Sequence, residues 1–401
     1  MVAPAEARYR RQVDSVAAQP PGIYLDYAAT TPVDPAVALA MSRFLTVDGA
    51  FGNPASVTHR FGQMAAEAVE NARREVAALV FSRPEEIVWT SGATEAINLA
   101  LKGSSLARRG RGRHIVTSPL EHSAVLDSAE WLESQGFEID YVEPDDNGAV
   151  SREALSRVLR PDTVVVSLML VNNETGTITD IPALGPLVRE HGALFHVDAV
   201  QGAGRLEMND IARAADLISI SGHKICGPKG IGALRVRRPL LGEMVPQTHG
   251  GGHELGLRSG TLATHQIAGM GESARIVRER LDVDVRHADK LDRSLRMYLS
   301  QIDGVSLNGS AEPRVPGILN VYFEGVAAEA LMMALEDVAI SSGSACTSAE
   351  VKPSHVLLGL GLAEEEALSS VRFSFGRFTT MAEIDYVGRF LVEVIPDLRR
   401  L

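Results

Sequence analysis

Short apolar runs rich in β-branched residues alternate with amphipathic stretches through the middle of the chain. The helical period predicts helices near 94–101, 123–134 and 181–190. The apolar runs predict strands at 87–90, 114–117, 137–142, 164–170, 194–197, 215–220 and 233–236. This alternation favours a mostly parallel sheet covered by helices on both faces, with site residues at the carboxyl ends of the strands.

The pattern changes after about residue 269. A long charged helix is predicted over 272–301, and it leads to a second, smaller α+β unit. The elements predicted in that unit are strands at 318–323, 338–341 and 371–375, a helix at 327–336, and a closing helix from Met381 onward. The chain is therefore expected to be an α/β protein with a smaller α+β domain.

Composition limits the classes of protein that fit. The 401 residues are 45% hydrophobic and 22% charged, as in a globular protein with a large core, and the net charge of −12 argues against nucleic-acid binding. No apolar run is long enough to cross a bilayer, so no membrane partner is expected. Positions 1–22 lack the apolar core of a secretory signal, and we expect a disordered or loosely docked N-terminal arm. Two cysteines cannot form a disulfide framework, which favours a cytoplasmic protein.

A lysine closes one predicted strand at a tight turn. The sequence at 219–232 is Ser-Ile-Ser-Gly-His-Lys-Ile-Cys-Gly-Pro-Lys-Gly-Ile-Gly, so small residues leave little bulk around Lys224. A partly desolvated amine there can form a Schiff base, and Ser221 and His223 beside it can hold an anion. A surface hairpin with a solvated lysine is the alternative, and this stretch alone does not decide between the two.

Two other strand ends carry polar residues. At the turn before the helix near 94–101, free N–H groups with Ser91 and Thr94 can seat a phosphate, although plain helix capping is the commoner use of such residues. Asp198 ends a strand, where a carboxylate can pair with a pyridinium N–H and keep it protonated. Asp198 could instead be a cap, but a phosphate seat, an acid and a lysine recurring at strand ends favour a cofactor site.

His122 and Asn173 lie in turns of the same region. His122 can stack on a planar ring or carry protons, and Asn173 can hydrogen-bond a cofactor or a substrate. A structural histidine and an Asn-rich turn are the alternatives for these two positions.

A series of motifs runs in order from about Ile23 to near the end of the chain. They are Tyr-Leu-Asp-Tyr-Ala-Ala-Thr-Thr-Pro at 24–32, Phe-Gly-Asn-Pro-Ala-Ser at 51–56, Ser-Gly-Ala-Thr-Glu at 91–95, Ser-Gly-His-Lys at 221–224, His-Gly-Gly-Gly-His-Glu at 249–254, Arg-Ser-Gly-Thr at 258–261 and Ser-Ser-Gly-Ser-Ala-Cys-Thr-Ser at 341–348. Together they resemble the pyridoxal-phosphate (PLP) dependent cysteine desulfurases of the class V aminotransferase family, which supply sulfur for iron–sulfur clusters. The last motif is similar to that of the housekeeping members.

The resemblance implies the PLP-dependent transferase fold of the aspartate aminotransferase type, with a seven-stranded, mostly parallel sheet and a smaller α+β domain. It implies an N-terminal arm at 1–29 that packs with the small domain, a large PLP-binding domain at 30–275, and a small domain at 276–401 that carries the catalytic cysteine. The implied activity converts L-cysteine to L-alanine and transfers the sulfur to acceptor proteins for iron–sulfur cluster assembly and thiolation.

The same resemblance implies the residues of the site. Lys224 would bind PLP covalently and move the substrate Cα proton, with His122 as a candidate helper. Asp198 would pair with the pyridine nitrogen and Gln201 with the ring hydroxyl. The other cofactor-binding residues implied are His122, stacked on the ring, with Ala93, Thr94, Asn173, Ser221, His223 and Thr261.

Two further roles concern the substrate and the neighbouring subunit. Asn173 and Arg372 would hold the substrate carboxylate, and a planar guanidinium suits two-point binding of a carboxylate. Thr261 would reach the phosphate bound by the neighbouring subunit, which implies a homodimer.

The two cysteines are expected to differ. Cys346 lies among Ser, Gly, Ala and Thr, which indicates an exposed loop thiol. By resemblance it attacks the substrate sulfur and carries a persulfide, and a thiol of ordinary pKa, about 8.5, would need activation. It could also contact a cluster on a bound iron–sulfur scaffold protein, while no catalytic metal is implied. Cys226 is expected to be a small buried filler where family members often carry an aromatic residue.

Other functions fit parts of the pattern. An aminotransferase would need no thiol at Cys346, and rates on cysteine and selenocysteine would identify a selenocysteine lyase. A non-catalytic assembly protein would be expected to lack Lys224 or Asp198. A metal hydrolase would use His249 and His253, which three glycines separate. Family members carry a further C-terminal tail that docks the cluster scaffold, whereas this sequence ends at Leu401, so the sulfur acceptor is left open.

Overall fold

The computed structural model describes residues 22–309, 312–342 and 352–400, so residues 1–21 of the expected N-terminal arm and Cys346 lie outside it. The strands are β1 (Ile23–Tyr24), β2 (Ile87–Thr90), β3 (His114–Thr117), β4 (Glu138–Tyr141), β5 (Thr163–Met169), β6 (Leu194–Asp198), β7 (Leu217–Ser221), β8 (Gly232–Val236), β9 (Val305–Leu307), β10 (Ile318–Phe323), β11 (Val338–Ala339) and β12 (Ser370–Ser374). The α-helices are α1 (Pro35–Ser42), α2 (Arg60–Leu79), α3 (Ala93–Asn98), α4 (Ser104–Ala107), α5 (Ser123–Ser134), α6 (Arg152–Val158), α7 (Ile181–Glu190), α8 (Asn209–Ala214), α9 (Thr264–Leu299), α10 (Ala328–Ala334), α11 (His355–Gly359), α12 (Glu364–Leu368) and α13 (Met381–Leu398).

The main sheet of the described chain has seven strands in the order β2-β8-β7-β6-β5-β3-β4. Strands β3 to β7 pair in parallel, whereas β8 runs antiparallel to both β2 and β7. The expected seven-stranded, mostly parallel sheet is therefore confirmed. Because crossover helices cover both faces of such a sheet, strands such as β5 and β6 are buried along their whole length.

Successive residues of β3 belong to two different cores. In β3, Ile115 packs in a cluster with Val125 and Leu132 of α5, whereas Val116 packs in the cluster that contains residues of α2, α7 and α9. This follows from the two-residue period of a strand, which points neighbouring side chains to opposite faces.

A third core is built around a three-stranded antiparallel sheet, in the order β12-β10-β9, in the later part of the described chain. Its buried residues include Leu291 and Leu295 of α9 and Leu391 of α13. The N-terminal strand β1 pairs in parallel with β11, and Leu25, which follows it, is buried in the same core. The domain boundaries stay a prediction, and the one between 275 and 276 falls inside α9.

Helix α9 begins earlier than the sequence predicts. The prediction starts it at residue 272, after Gly269 and Gly271, and glycine is a poor helix former. In the structure a Cβ at Gly271 would lie 2.5 Å from the Cα of Ala72, so the absence of a side chain lets α9 pack closely against α2. Tertiary packing thus outweighs local propensity here. Within the described ranges, no helix is both long and apolar enough to cross a bilayer.

Candidate active site

Lys224 lies in a short helical turn, Gly222–Lys224, that directly follows β7. Its Nζ donates hydrogen bonds to the carbonyl oxygens of Ala28 and, at 2.9 Å, Ala29. Burial, followed by the charge of Arg372, lowers the pKa of Lys224 to about 8, while Asp26 and Asp198 oppose the shift. The amine can therefore lose its proton near neutral pH. A lysine in a solvated surface hairpin, the alternative considered from the sequence, would keep its ordinary pKa and stay charged.

Asp198 ends β6 and is nearly inaccessible to solvent. Its Oδ1 accepts a hydrogen bond of 2.9 Å from Val200 N. Burial raises the pKa of Asp198, and the hydrogen bond from Val200 and the charges of His122 and Lys224 oppose that rise. A cationic N–H placed against this carboxylate would stabilise its charged form further.

His122 caps the N-terminus of α5, where its Nδ1 accepts a hydrogen bond of 3.0 Å from Ala124 N. Burial lowers the pKa of His122, partly offset by Asp198. A neutral ring whose Nδ1 is an acceptor carries its proton on Nε2. The capping role of His122 does not exclude a chemical role. The cap fixes the ring through Nδ1 and leaves Nε2–H to face a substrate or cofactor, which stays a prediction.

The segment 26–31 supplies several groups to the site. Gln201 Nε2 donates a 2.9 Å hydrogen bond to the Ala28 carbonyl, which also accepts from Lys224. Thr31 holds the backbone of the lysine turn, because its N and Oγ1 both donate to His223 O at 2.9 Å. Burial lowers the pKa of His223 to about 4, and its Nδ1 lies 3.2 Å from Thr30 Oγ1. Sequence reasoning recognised this segment as a motif but gave its residues no role.

Arg372 in β12 is 5% exposed, so it is not a solvated strand charge. Its Nη1 donates to Asn173 O at 3.0 Å and its Nη2 to Asp26 Oδ1 at 2.8 Å. Its Nε is buried and has no hydrogen-bond partner among the described residues. Arg372 and Asn173 are thus brought together as expected, and Asp26 is a partner that sequence reasoning missed.

The turn before α3 lies close to the end of β7. Gly232 of β8 pairs with Thr90 on one side and Ser221 on the other, and a Cβ on Gly232 would lie 2.7 Å from the carbonyl carbon of Gly92. This close approach requires glycine. The start of α3 has no side-chain cap, so its first N–H groups are available beside Ser221.

Ala93, Thr94 and Thr261 are the other predicted site residues that the structure describes. Ala93 and Thr94 are the first residues of α3, and Thr94 is exposed. Thr261 is also exposed, on the loop that leads into α9. Cys226 is buried, as the sequence predicts, and its N donates to Thr31 Oγ1 at 2.8 Å. Cys346 falls outside the described residues, so no position in the structure is assigned to it.

Comparison with known families agrees with this arrangement. Residues 23–387 match the family described as aminotransferase class-V. The chain therefore belongs to the class V aminotransferases.

Two curated relatives indicate which group of this family the chain belongs to. The chain is 54% identical over 379 residues to cysteine desulfurase IscS of Azotobacter vinelandii, and 55% identical over 383 residues to cysteine desulfurase IscS of Pseudomonas aeruginosa (strain LESB58). Each alignment covers 94% of both chains. At this identity and coverage, the chain is a member of the cysteine desulfurase group within the family.

Solved structures confirm the fold. A NifS-like protein superposes with a TM-score of 0.87 at 34% identity, covering 94% of this chain and all of the other. DndA from Streptomyces lividans gives a TM-score of 0.75 at 43% identity over 88% of this chain and 99% of the other. A structure described as SspA in complex with cysteine gives 0.79 at 35% identity over 89% of this chain and 100% of the other. The expected PLP-dependent transferase fold is thus confirmed.

Proposed function

We propose that this chain is a PLP-dependent cysteine desulfurase that converts L-cysteine to L-alanine and passes the sulfur, as a Cys346 persulfide, to acceptor proteins. The observation that carries the proposal is the convergence of Lys224, Asp198 and Arg372, in which burial and Arg372 lower the pKa of the lysine to about 8. An amine, a buried acid and a carboxylate-binding guanidinium are the groups that amino-acid chemistry on an aldehyde cofactor needs.

The residues present fit PLP. Lys224 offers an amine that can be neutral, and Asp198 is a buried carboxylate suited to a pyridinium N–H. The start of α3, with Ala93 and Thr94 and no described side-chain cap, lies close to the strand end at Ser221 and suits a phosphate. His223, two residues after Ser221, is the further phosphate-binding candidate. Gln201 and His122 would hold the ring. When bound, PLP would supply an electron sink that stabilises negative charge at the substrate Cα.

The chain's own groups would direct the rest of the reaction. Arg372, with its free Nε, and Asn173 would bind the substrate carboxylate. Lys224 would take the Cα proton and return protons to the substrate skeleton, helped by Nε2–H of His122. The Cys346 thiolate would then attack the substrate sulfur, so that an S–S bond forms as the C–S bond breaks. The electron pair released to carbon is protonated, and alanine leaves.

Chain connectivity supports the role of Cys346. Ser341 and Arg372 exchange backbone hydrogen bonds of 3.2 and 2.6 Å. Cys346 follows Ser341 by five residues, and five residues of extended chain span at most about 18 Å. The length of the chain would therefore allow the thiol to reach the substrate that Arg372 would bind.

The proposed partners follow from the same assignment. In a homodimer, Thr261 would serve the phosphate bound by the neighbouring subunit. The apolar side chains Phe51, Val57 and Phe61, each more than half exposed, offer a surface that a second copy would cover. The persulfide would be accepted in the cytoplasm by an iron–sulfur scaffold protein or a thiolation protein, as the resemblance of the motifs implies.

Cys346→Ala tests the proposal. The variant should bind PLP and show the spectral change on addition of L-cysteine, yet release no alanine, because the sulfur has no acceptor. Cys226→Ala, at the buried cysteine, is the matched control and should turn over. Full alanine production by Cys346→Ala would reject the role of that thiol, and parallel rates with selenocysteine would test the lyase alternative.

A further inference from the structure

The chain on either side of the Cys346 segment is held by residues that flank the candidate site. On the outgoing side, Ser341 pairs with the backbone of Arg372. On the returning side, Ser354 and His355 begin α11 and contact two other segments of the site. The contact of Ser341 is with Arg372, which is already assigned to the substrate. The contacts of Ser354 and His355 are with two buried glutamates, Glu174 and Glu121, that the proposed reaction does not use.

Ser354 makes the first of the returning contacts. It is 2% exposed, and its Oγ donates a 2.6 Å hydrogen bond to Oε2 of Glu174, which is itself 3% exposed. The same Oγ accepts from Val356 N and Leu357 N, at 3.1 and 3.3 Å, as the cap of α11. Since a short hydrogen bond between buried groups has no water to replace it, this contact fixes the start of α11 on Glu174.

Glu174 belongs to the turn that holds the substrate-binding residues. The side chain of Asn172 accepts from Glu174 N at 2.9 Å, which fixes the turn, and the next residue, Asn173, accepts from the guanidinium of Arg372. One rigid turn therefore contacts both Arg372 and the residue where the chain returns from Cys346.

His355 provides a second contact of the same kind. Its Nε2 lies 2.9 Å from the carbonyl oxygen of Glu121, the residue before His122. The Glu121 carboxyl group is buried and its Oε1 accepts from Met169 N at 2.8 Å, which attaches this turn to the end of β5. The start of α11 is thus joined to two strand-end turns that carry site residues.

We propose that Glu174 is a positioning residue for sulfur transfer: through Ser354 it sets where the chain that follows Cys346 rejoins the fold, relative to Arg372. This rests on the proposed function. Loss of the contact would let the start of α11 and the turn that contacts Arg372 shift independently, and a displacement of about 1 Å of reacting groups slows a reaction by roughly ten- to a hundredfold. Cofactor binding and the capture of cysteine would not change, because the groups that Ser354 Oγ contacts, Glu174 Oε2 and the N–H groups of Val356 and Leu357, are not among those assigned to PLP or to the substrate.

The test separates substrate binding from sulfur transfer in the PLP-loaded protein. Cysteine binding is followed by the absorbance of the cofactor, and persulfide on Cys346 is followed in single-turnover experiments by peptide-resolved mass spectrometry. Ser354→Ala should bind cysteine as the unchanged protein does but form the persulfide roughly ten- to a hundredfold more slowly. Ser151→Ala is the matched control, because it removes an N-cap hydroxyl from α6, whose Oγ accepts from Ala154 N.

Substitutions at Glu174 give an independent readout. Glu174→Ala should slow persulfide formation by removing the contact that Ser354→Ala also removes. The double variant should be no slower than Ser354→Ala, since only Ser354→Ala removes the cap of α11 in addition to the contact with Glu174. Glu174→Gln keeps an acceptor for Ser354 and should restore most of the rate. Unaltered persulfide rates in Ser354→Ala and Glu174→Ala, or equal losses in Glu174→Gln and Glu174→Ala, would overturn the proposal. An unsubstituted protein that forms no persulfide on Cys346 would instead refute the proposed function.

Discussion

The depressed pKa of Lys224 makes a prediction about stability that does not depend on turnover. Lowering the pKa of the amine from 10.5 to about 8 means that the charged form is disfavoured in the folded protein relative to the unfolded chain. The difference corresponds to about 3 kcal/mol when the amine is fully protonated in both states. Lys224→Met removes the charged group while keeping a side chain of similar length.

The sign of the effect follows from proton binding. Below pH 8 the lysine is charged in both states and the full penalty applies, whereas between pH 8 and 10.5 the unfolded chain binds more protons than the folded protein. The stability of the protein with Lys224 should therefore rise with pH relative to Lys224→Met, by about 2 kcal/mol between pH 7 and pH 9.5. Other groups that titrate in this range contribute equally to both proteins and cancel.

Urea unfolding of the two proteins without cofactor, at several pH values, measures this difference directly. Lys224→Met also loses the hydrogen bonds to Ala28 and Ala29, which lowers its free energy of unfolding by the same amount at every pH. The prediction is therefore tested by how the free energy of unfolding changes with pH, not by its absolute value. Lys229→Met, at an exposed position of the same turn, controls for the loss of one positive charge. Stability curves for the unsubstituted protein and for Lys224→Met that run parallel with pH would refute the reasoning.

Two further predictions concern substrate binding and packing. Arg372→Lys cannot contact Asn173 O and Asp26 together, so the KM for cysteine should rise roughly ten- to a hundredfold in saturation kinetics; an unchanged KM would remove Arg372 from the carboxylate site. Gly271→Val places a Cβ 2.5 Å from Ala72 and should lower the free energy of unfolding by about 1–3 kcal/mol in urea titrations. A free energy of unfolding of Gly271→Val equal to that of the unsubstituted chain would contradict this prediction, because it would mean that α2 and α9 can move apart to admit the side chain without a loss of stability.

The sequence predicted the positions of candidate site residues correctly where a reactive side chain stands at the end of a predicted strand. β-Branched runs predicted the strands of the main sheet, and the ends of two of them carry Asp198 and Lys224. Those positions could be predicted because parallel strands bring their carboxyl ends to one edge.

The missed residues are those whose role depends on distant parts of the chain. Asp26 contacts Arg372 because the N-terminal segment runs beside β12, which no local pattern indicates. Glu121 and Glu174 each adjoin a predicted site residue, but their burial depends on packing against α11 and β5 and cannot be read from charge alone.

Helix α9 has a consequence for how the protein can be divided. Its first turns complete one hydrophobic core, through Ile267 and Met270, and its last turns complete another, through Leu291 and Leu295. A cut near residue 275 would separate Val277, Val315 and Ile318 from the first core and Leu25 from the second, so neither core would keep its full set of apolar partners. Each fragment made by cutting there would carry part of α9 and would expose apolar residues that are buried in the intact chain. The chain is therefore best treated as one cooperative folding unit in dissection, fusion or split-protein experiments.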